Sequence, residues 1–206
     1  MNYRDYQHMR NAAWRILLDC GVQRLPVDLN DICARLGVRI IPYREAEALI
    51  RKRNLSELVE AADGLTFYAD EVPVILYDST CPADKIRFTV AHELGHLILM
   101  HIMPGVINVA SQEERPAQRA KEAAANRFAA RLLAPACVLW GLDAHSPEEI
   151  ARLCRISGEA AANRAARMRT LYRRDKFLTS ELEKRLYGRF LPYIEEVRGS
   201  ACCSEE

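Results

Sequence analysis

Apolar residues recur at helical spacing along most of the chain. Near the N-terminus, Tyr6, Ala13, Ile16 and Leu17 share one face of a predicted helix over residues 4–19. The same spacing predicts further helices over residues 28–36, 44–60, 84–101, 116–133, 147–155, 158–173 and 179–187.

Three short segments rich in β-branched and aromatic residues interrupt this helical pattern. They predict strands over residues 38–42, 65–68 and 72–77. Asp63-Gly64 gives a turn signal before the second strand, and Pro73 places the third at its own start or at a sheet edge. Helices, then a small sheet, then only helices predict a mainly helical α+β fold.

Composition, charge and the N-terminal sequence together limit the classes of protein to which this chain can belong. Of the 206 residues, 50% are hydrophobic and 28% are charged, which is ordinary for a soluble globular protein. The net charge of +1 argues neither for nor against nucleic acid as a partner. The first twenty residues lack the apolar core of a secretory signal, and Ile16–Leu18 is far too short to span a bilayer.

The cysteines point to a reducing compartment. Their number is seven, which is odd, and no two of them form a C-x-x-C pair. We therefore expect small core residues with reduced thiols rather than a disulfide framework, and a cytoplasmic location without a membrane anchor.

One motif contains residues that can bind a metal and act as a general base. His92-Glu93-Leu94-Gly95-His96 matches H-E-x-x-H, in which two histidines four apart lie one turn apart on the same helix face and can reach one Zn²⁺ ion. Glu93 is then placed to take a proton from water as a general base. The alternative is an exposed or internally satisfied cluster, but burying these polar groups on an apolar helix without partners would be costly. Gly95 suggests that another backbone or a substrate comes close.

A catalytic zinc site needs a third protein ligand. His101 is five residues past His96, about 140° around a continuing helix, so we interpret it as a helix-end cation or a polar contact. Glu122, on the next helix, is the better candidate, and Asn126 one turn later can accept the second N–H of a ligand histidine. Glu113 and Glu114 are weaker competitors.

Three segments resemble the ImmA/IrrE-type zinc metallo-endopeptidases: RFTVAHELGHLIL (residues 87–99), EAAANRFAARLLAP (122–135) and PVDLNDICARLGV (26–38). The resemblance covers roughly residues 10–136, and a looser similarity extends to about residue 170. Members often carry Glu at the position of Ala124 and Met at that of Ala134, and neither departure touches a proposed ligand.

The resemblance implies a zincin-like fold and a thermolysin-like site. In that site His92, His96 and Glu122 hold Zn²⁺, Glu93 is the catalytic base and Asn126 orients a ligand histidine. It also implies a substrate class, namely helix-turn-helix transcriptional repressors of phages, mobile elements or stress regulons. For the group that stabilises the oxyanion, Tyr68, Tyr77 and His145 all remain candidates.

We expect a peptidase domain over residues 1–140 and a C-terminal helical segment over residues 141–206. Residues 147–168 resemble a helix-turn-helix in which Arg164 and Arg167 share a face that could meet phosphates. The favoured interpretation is that Ile150, Leu153, Ala161 and Met168 pack these helices onto the peptidase core, with the arginines solvated outside.

Two rival functions follow from this segment: a DNA-binding regulator, or a partner-binding regulator with a non-catalytic peptidase-like body. Residues 103–115 are a candidate cover for the site. The sequence carries no signal for an oligomeric state.

Overall fold

The computed structural model describes residues 3–102 and 116–202 of the chain. It confirms a mainly helical α+β fold with one small sheet. In chain order the elements are α1 (Tyr3–Asp19), α2 (Leu29–Arg35), β1 (Arg39–Pro42), a 3-10 turn (Tyr43–Glu45), α3 (Glu47–Lys52), α4 (Ser56–Ala61), β2 (Gly64–Ala69), β3 (Val72–Tyr77), α5 (Ala83–Ile98), α6 (Pro116–Leu133), α7 (Ala136–Gly141), α8 (Pro147–Cys154), α9 (Gly158–Arg173) and α10 (Glu181–Cys202).

Two compact units divide the chain. One, which we call the sheet unit, is Leu29–Ala129; the other, the helical unit, comprises Met1–Asp28 and Ala130–Glu206. The H-E-x-x-H motif and Glu122 both belong to the sheet unit. A domain boundary at residue 140 stays a prediction.

The sheet has the strand order β1-β3-β2, with β1 parallel and β2 antiparallel to β3. The central strand β3 is buried on both faces, because Val74, Ile75 and Leu76 are all 0% exposed. Pro73 pairs with Tyr68 of β2 and lies before the pairing with β1 begins at Val74. The prediction that Pro73 lies at the start of its strand is confirmed, although the strand is central.

Side chains alternate across β2 and connect the sheet to the helices on either side. Phe67 and Ala69 join a hydrophobic cluster with Ile50 of α3 and with Leu55. Thr66 points to the opposite face, where α5 packs against β2 and β3. The sheet therefore positions α5, the helix that carries the motif.

The predicted helix over residues 44–60 is wrong as one element. The chain forms a 3-10 turn and two short helices instead, and Asn54 between them has a positive φ of 53°. Asparagine tolerates this left-handed conformation better than most residues, so it can end one helix and allow a change of direction before the next.

The helical unit consists of α1 and α7 to α10, and α10 packs against both α1 and α7. The predicted end of α10 at residue 187 is wrong, since the helix continues to Cys202. Leu186, Phe190 and Ile194 continue its buried stripe every four residues, although Pro192 lies within the helix. The short helix α7 was not predicted.

Five of the described cysteines, Cys20, Cys33, Cys81, Cys137 and Cys154, are not disulfide-bonded. All of these except Cys81 are buried, which confirms their assignment to the core. None of the described helices has both the length and the apolar composition needed to cross a bilayer.

Gly95 sets how closely α5 and α6 approach. A Cβ atom added there would lie 3.0 Å from Phe128 Cδ1 and 3.2 Å from Ala125 Cα. The sequence-based expectation that another backbone comes close to Gly95 is thereby confirmed. Any larger residue at this crossing pushes α6 away from the motif.

We expect Gly95→Val to lower the free energy of unfolding by about 1–3 kcal/mol, because its methyl groups overlap the backbone of α6. Gly188→Val in α10 is the matched control, since nothing lies within 4 Å of a Cβ there. Urea unfolding followed by circular dichroism measures both. Equal stability of the two variants would contradict a tight crossing at Gly95.

A two-residue turn joins β2 to β3. Asp70 and Glu71 have positive φ values of 50° and 67°, as in a type I′ hairpin, where glycine is usual at the second position. We expect Glu71→Gly to raise the free energy of unfolding by about 1 kcal/mol, because it relieves a left-handed conformation. The control is Glu60→Gly on the exposed side of α4, which should lower that energy by a similar amount.

Candidate active site

Three potential ligand atoms converge where α5 meets α6. His92 Nε2 lies 3.0 Å from His96 Nε2 and 3.1 Å from Glu122 Oε2, and His96 Nε2 lies 3.4 Å from the same carboxylate oxygen. The histidines are brought together by their spacing within α5, and Glu122 comes from the neighbouring helix across the Gly95 crossing. These three residues form a group that could hold a metal ion.

The spacing of these atoms fits a tetrahedral metal centre. Ligand atoms about 2.0–2.1 Å from a tetrahedral ion lie about 3.3 Å from one another. The three observed separations bracket that value. Two imidazole nitrogens with one carboxylate oxygen are also a donor set that catalytic zinc sites use.

The group is open on one side. The His96 and His92 side chains are 9% and 16% exposed, whereas that of Glu122 is 43% exposed. Three protein ligands would leave one of four tetrahedral positions of a bound metal free, and the exposure of Glu122 would give water access to it. An open position separates a catalytic metal site from a structural one.

Asn126 contacts the other side of His92. Its Oδ1 lies 2.9 Å from His92 Nδ1 and can only accept, so His92 carries its proton on Nδ1. The lone pair of Nε2 is then directed at His96 and Glu122. Asn126 therefore fixes both the tautomer and the orientation of this ring.

Glu122 is held at both oxygens. Gln118, one turn earlier in α6, donates to Oε1 at 2.7 Å, which leaves Oε2 for the two histidines. The imidazoles of His92 and His96, which lie close to Oε2, hold the pKa of Glu122 well below its usual range. Burial lowers the pKa of His92, but Glu122 and Glu93 outweigh it and the net shift is upward. The same carboxylates attract any cation bound between these groups.

Glu93 lies beside the metal-binding group on the same helix. Thr66 of β2 donates its hydroxyl to Glu93 Oε2 at 2.6 Å and is itself only 2% exposed. The backbone of β2 comes close here, because a Cβ on Gly64 would lie 3.2 Å from Glu93 Cγ. One carboxylate oxygen is thus fixed by the sheet, and Oε1 is left to accept a proton.

Sequence reasoning missed the role of Thr66. The only available signal was a hydroxyl within an otherwise apolar strand, and which face Thr66 occupies depends on the pairing register with β3. Gly64, interpreted as part of a turn, is the first residue of β2 and permits its close approach to α5.

His101 lies against His96 rather than on the far side of the helix. Its Nδ1 is 3.2 Å from His96 Nδ1, so the prediction of a polar contact is confirmed. Burial, together with the neighbouring His96 and Lys121, lowers the pKa of His101 to about 4, which disfavours the alternative of a helix-end cation.

Several other predicted residues do not join this group. Glu113, Glu114 and the candidate cover over residues 103–115 lie outside the described residues. Tyr68 and Tyr77 are half-buried residues of β2 and β3, and His145 is exposed in the helical unit, 2.9 Å from Asp143. The choice of an oxyanion-stabilising residue among the last three stays a prediction.

The C-terminal helix pair corrects one expectation. α8 and α9 pack against each other, and the chain reverses at Arg155, whose φ is 50°. Arg164 is buried, with 8% of its surface exposed, so it cannot present an open face to phosphates together with Arg167. Ile150, Ala161 and Met168 are almost fully buried and Leu153 is half-buried, but the expectation that the arginines are solvated is wrong for Arg164. Packing of the pair onto the peptidase core stays a prediction.

A second set of potential ligands, Asp63, Asp78 and Cys81, lies near the start of α5. Its carboxylates are already engaged: Lys85 Nζ lies 2.8 Å from Asp63 Oδ1, and Thr80 donates to Asp78. Burial and Asp63 raise the pKa of the Cys81 thiol, which disfavours the thiolate that a metal requires. This group is a poorer metal site than the one on α5 and α6.

Comparison with known proteins agrees with this geometry. A family model described as Peptidase M78, IrrE N-terminal-like domain, matches residues 33–166, which is more than half of the chain and includes α5 and α6. A search of curated proteins finds no match. On the strength of the family model, the chain belongs to the M78 family of peptidases, as the three resembling segments had indicated.

Proposed function

We propose that this protein is a zinc-dependent endopeptidase in which His92, His96 and Glu122 bind the metal and Glu93 is the general base. One observation carries the proposal: the three potential ligand atoms lie 3.0–3.4 Å apart. Glu93 follows His92 directly on the same helix. Membership of a peptidase family supports a protein as the substrate.

The chemistry that zinc supplies when bound is Lewis acidity towards a carbonyl oxygen and a lowered pKa for water. Glu93 Oε1 accepts a proton from the attacking water and later delivers it to the nitrogen of the leaving amine. The Thr66 hydroxyl stays on Oε2 during both transfers and keeps the carboxylate from rotating. Asn126 and Gln118 hold His92 and Glu122 in their metal-binding orientations.

For the substrate, we propose a helix-turn-helix transcriptional repressor of a phage, a mobile element or a stress regulon. The support is the resemblance of the HELGH and EAAAN segments to ImmA/IrrE-type endopeptidases. A cytoplasmic location accords with such a substrate, and with five described cysteines that are not disulfide-bonded.

A DNA-binding regulator built on α8 and α9 is the second candidate. The compact helix-turn-helix form of the pair favours it, and the burial of Arg164 counts against it. Binding to duplex DNA that weakens steeply with salt would favour this candidate. We expect no such binding.

Metal content of the purified protein tests the proposed ligands. We expect about one zinc ion per chain in the wild type and in Glu93→Gln, and little in His92→Ala or Glu122→Ala, because only these two lose a ligand. Zinc analysis by mass spectrometry measures all four. A wild type that takes up no zinc even after reconstitution would rule out the proposed function.

Glu93→Gln separates metal binding from catalysis. We expect it to lower cleavage of a helix-turn-helix repressor panel, and of a labelled unfolded protein, by about 10²–10⁴-fold, because the base is lost. The zinc content of the same preparation is the control. Unchanged cleavage would show that the metal is structural.

Thr66→Val is nearly isosteric and removes the hydrogen bond to Glu93 Oε2. We expect it to lower kcat/KM by about 10–150-fold, since a hydrogen bond to a charged group contributes about 1.5–3 kcal/mol. Thr66→Ser keeps the hydroxyl and should stay close to the wild type. If the valine and serine variants cleave equally well, Thr66 does not position the base.

A further inference from the structure

α5 ends in a turn that brings the chain back over its own last residues. The helix ends at Ile98, the Met100 N–H donates to Leu97 O at 3.0 Å, and the His101 N–H donates to His96 O at 2.9 Å. Met100 has a positive φ of 56°. These two hydrogen bonds and the left-handed residue form a Schellman motif.

The turn forms without the glycine that such positions favour. Met100 has a Cβ, which disfavours a left-handed conformation, and its large apolar side chain is 75% exposed. A strained backbone position of this kind, next to a group of polar side chains, is a reason to ask what the turn positions.

The turn positions the imidazole of His101 against that of His96. The ring centroids are 5.1 Å apart at an interplanar angle of 71°, and the two Nδ1 atoms are 3.2 Å apart. If α5 had continued as a helix, His101 would have pointed about 140° away from His96.

Only one position of the imidazole proton lets His96 bind a metal through Nε2 and hydrogen-bond through Nδ1. Its Nε2 faces His92 and Glu122 and must be unprotonated to bind a metal, so a neutral His96 carries its proton on Nδ1. That N–H points at His101 Nδ1, which accepts it. His101 then carries its own proton on Nε2.

We propose that His101 is a positioning residue that orients His96 for metal binding. Its Nδ1 accepts the Nδ1–H of His96 and so directs the Nε2 lone pair of His96 towards the metal position. His101 does for His96 what Asn126 does for His92, from a different element of the fold. The proposal rests on the proposed zinc-binding function.

His101 is not itself one of the converging ligands. Among the described residues, the potential metal-binding group at this site consists of His92, His96 and Glu122. The His101 nitrogen nearest to that group faces the opposite edge of the His96 ring, away from the atoms that converge. Its influence on a metal therefore passes through His96.

Zinc affinity, measured on the full chain by competition with a chromophoric chelator, tests this role without any substrate. We expect His101→Leu to raise the Kd for zinc about 10–100-fold, because the acceptor for the His96 N–H is lost. His101→Gln supplies a side-chain oxygen as an acceptor and should recover most of the affinity. Asn126→Leu should weaken binding to a similar degree.

His145→Leu is the matched control, because this exposed histidine pairs with Asp143 in the helical unit. The Kd of His145→Leu for zinc should equal that of the wild type. The thermal midpoints of the metal-free proteins show whether His101→Leu still folds. If His101→Leu does not fold, the wild type and His101→Gln are both loaded with Co²⁺ and compared instead. The visible Co²⁺ absorption bands of His101→Gln should keep the wild-type positions.

The outcomes separate the two proposals. Equal Kd values for zinc in the wild type and His101→Leu would overturn the role of His101 alone. So would a Kd for His101→Gln as high as that of His101→Leu. A wild type without zinc affinity overturns the proposed function, and the role of His101 with it.

Discussion

The close approach of α5 and α6 is the constraint on which the site depends. The two histidines come from one helix and the carboxylate from the other, so the distance between the helix axes decides whether the three ligand atoms meet. Gly95 permits that distance, because a Cβ in its place would touch the backbone of Ala125. A residue with no side chain is thus as necessary to the geometry as the three converging side chains are.

A second constraint is that polar groups on a largely apolar helix need partners. Each of the four central side chains has one outer contact: Asn126 for His92, His101 for His96, Gln118 for Glu122 and Thr66 for Glu93. These contacts come from α6, from the turn after α5 and from β2. The small sheet and both helices are therefore tied to the site by hydrogen bonds.

The ligand geometry was predictable from the sequence because it follows from local spacing. H-E-x-x-H fixes two histidines on one helix face whatever surrounds them, and Glu122 and Asn126 are likewise one turn apart on a helix that begins at Pro116. The helix bounds of α6 were predicted correctly, since Pro116 and Pro135 mark its ends.

Two of the outer contacts, those of His101 with His96 and of Thr66 with Glu93, were not predictable, because they depend on a chain reversal and on strand register. His101 reaches His96 only because Met100 adopts a left-handed conformation that favours glycine. Thr66 reaches Glu93 only because β2 pairs with β3 in a register that turns it towards α5. Neither feature leaves a local signal in the sequence.

X-ray absorption at the zinc edge of the reconstituted wild-type protein tests the central claim most directly. The account predicts only nitrogen and oxygen ligands at about 2.0–2.1 Å, with the outer-shell scattering of two imidazoles. Sulfur scattering at about 2.3 Å would contradict it, because Cys81 with Asp63 and Asp78 would then hold the metal instead of His92, His96 and Glu122.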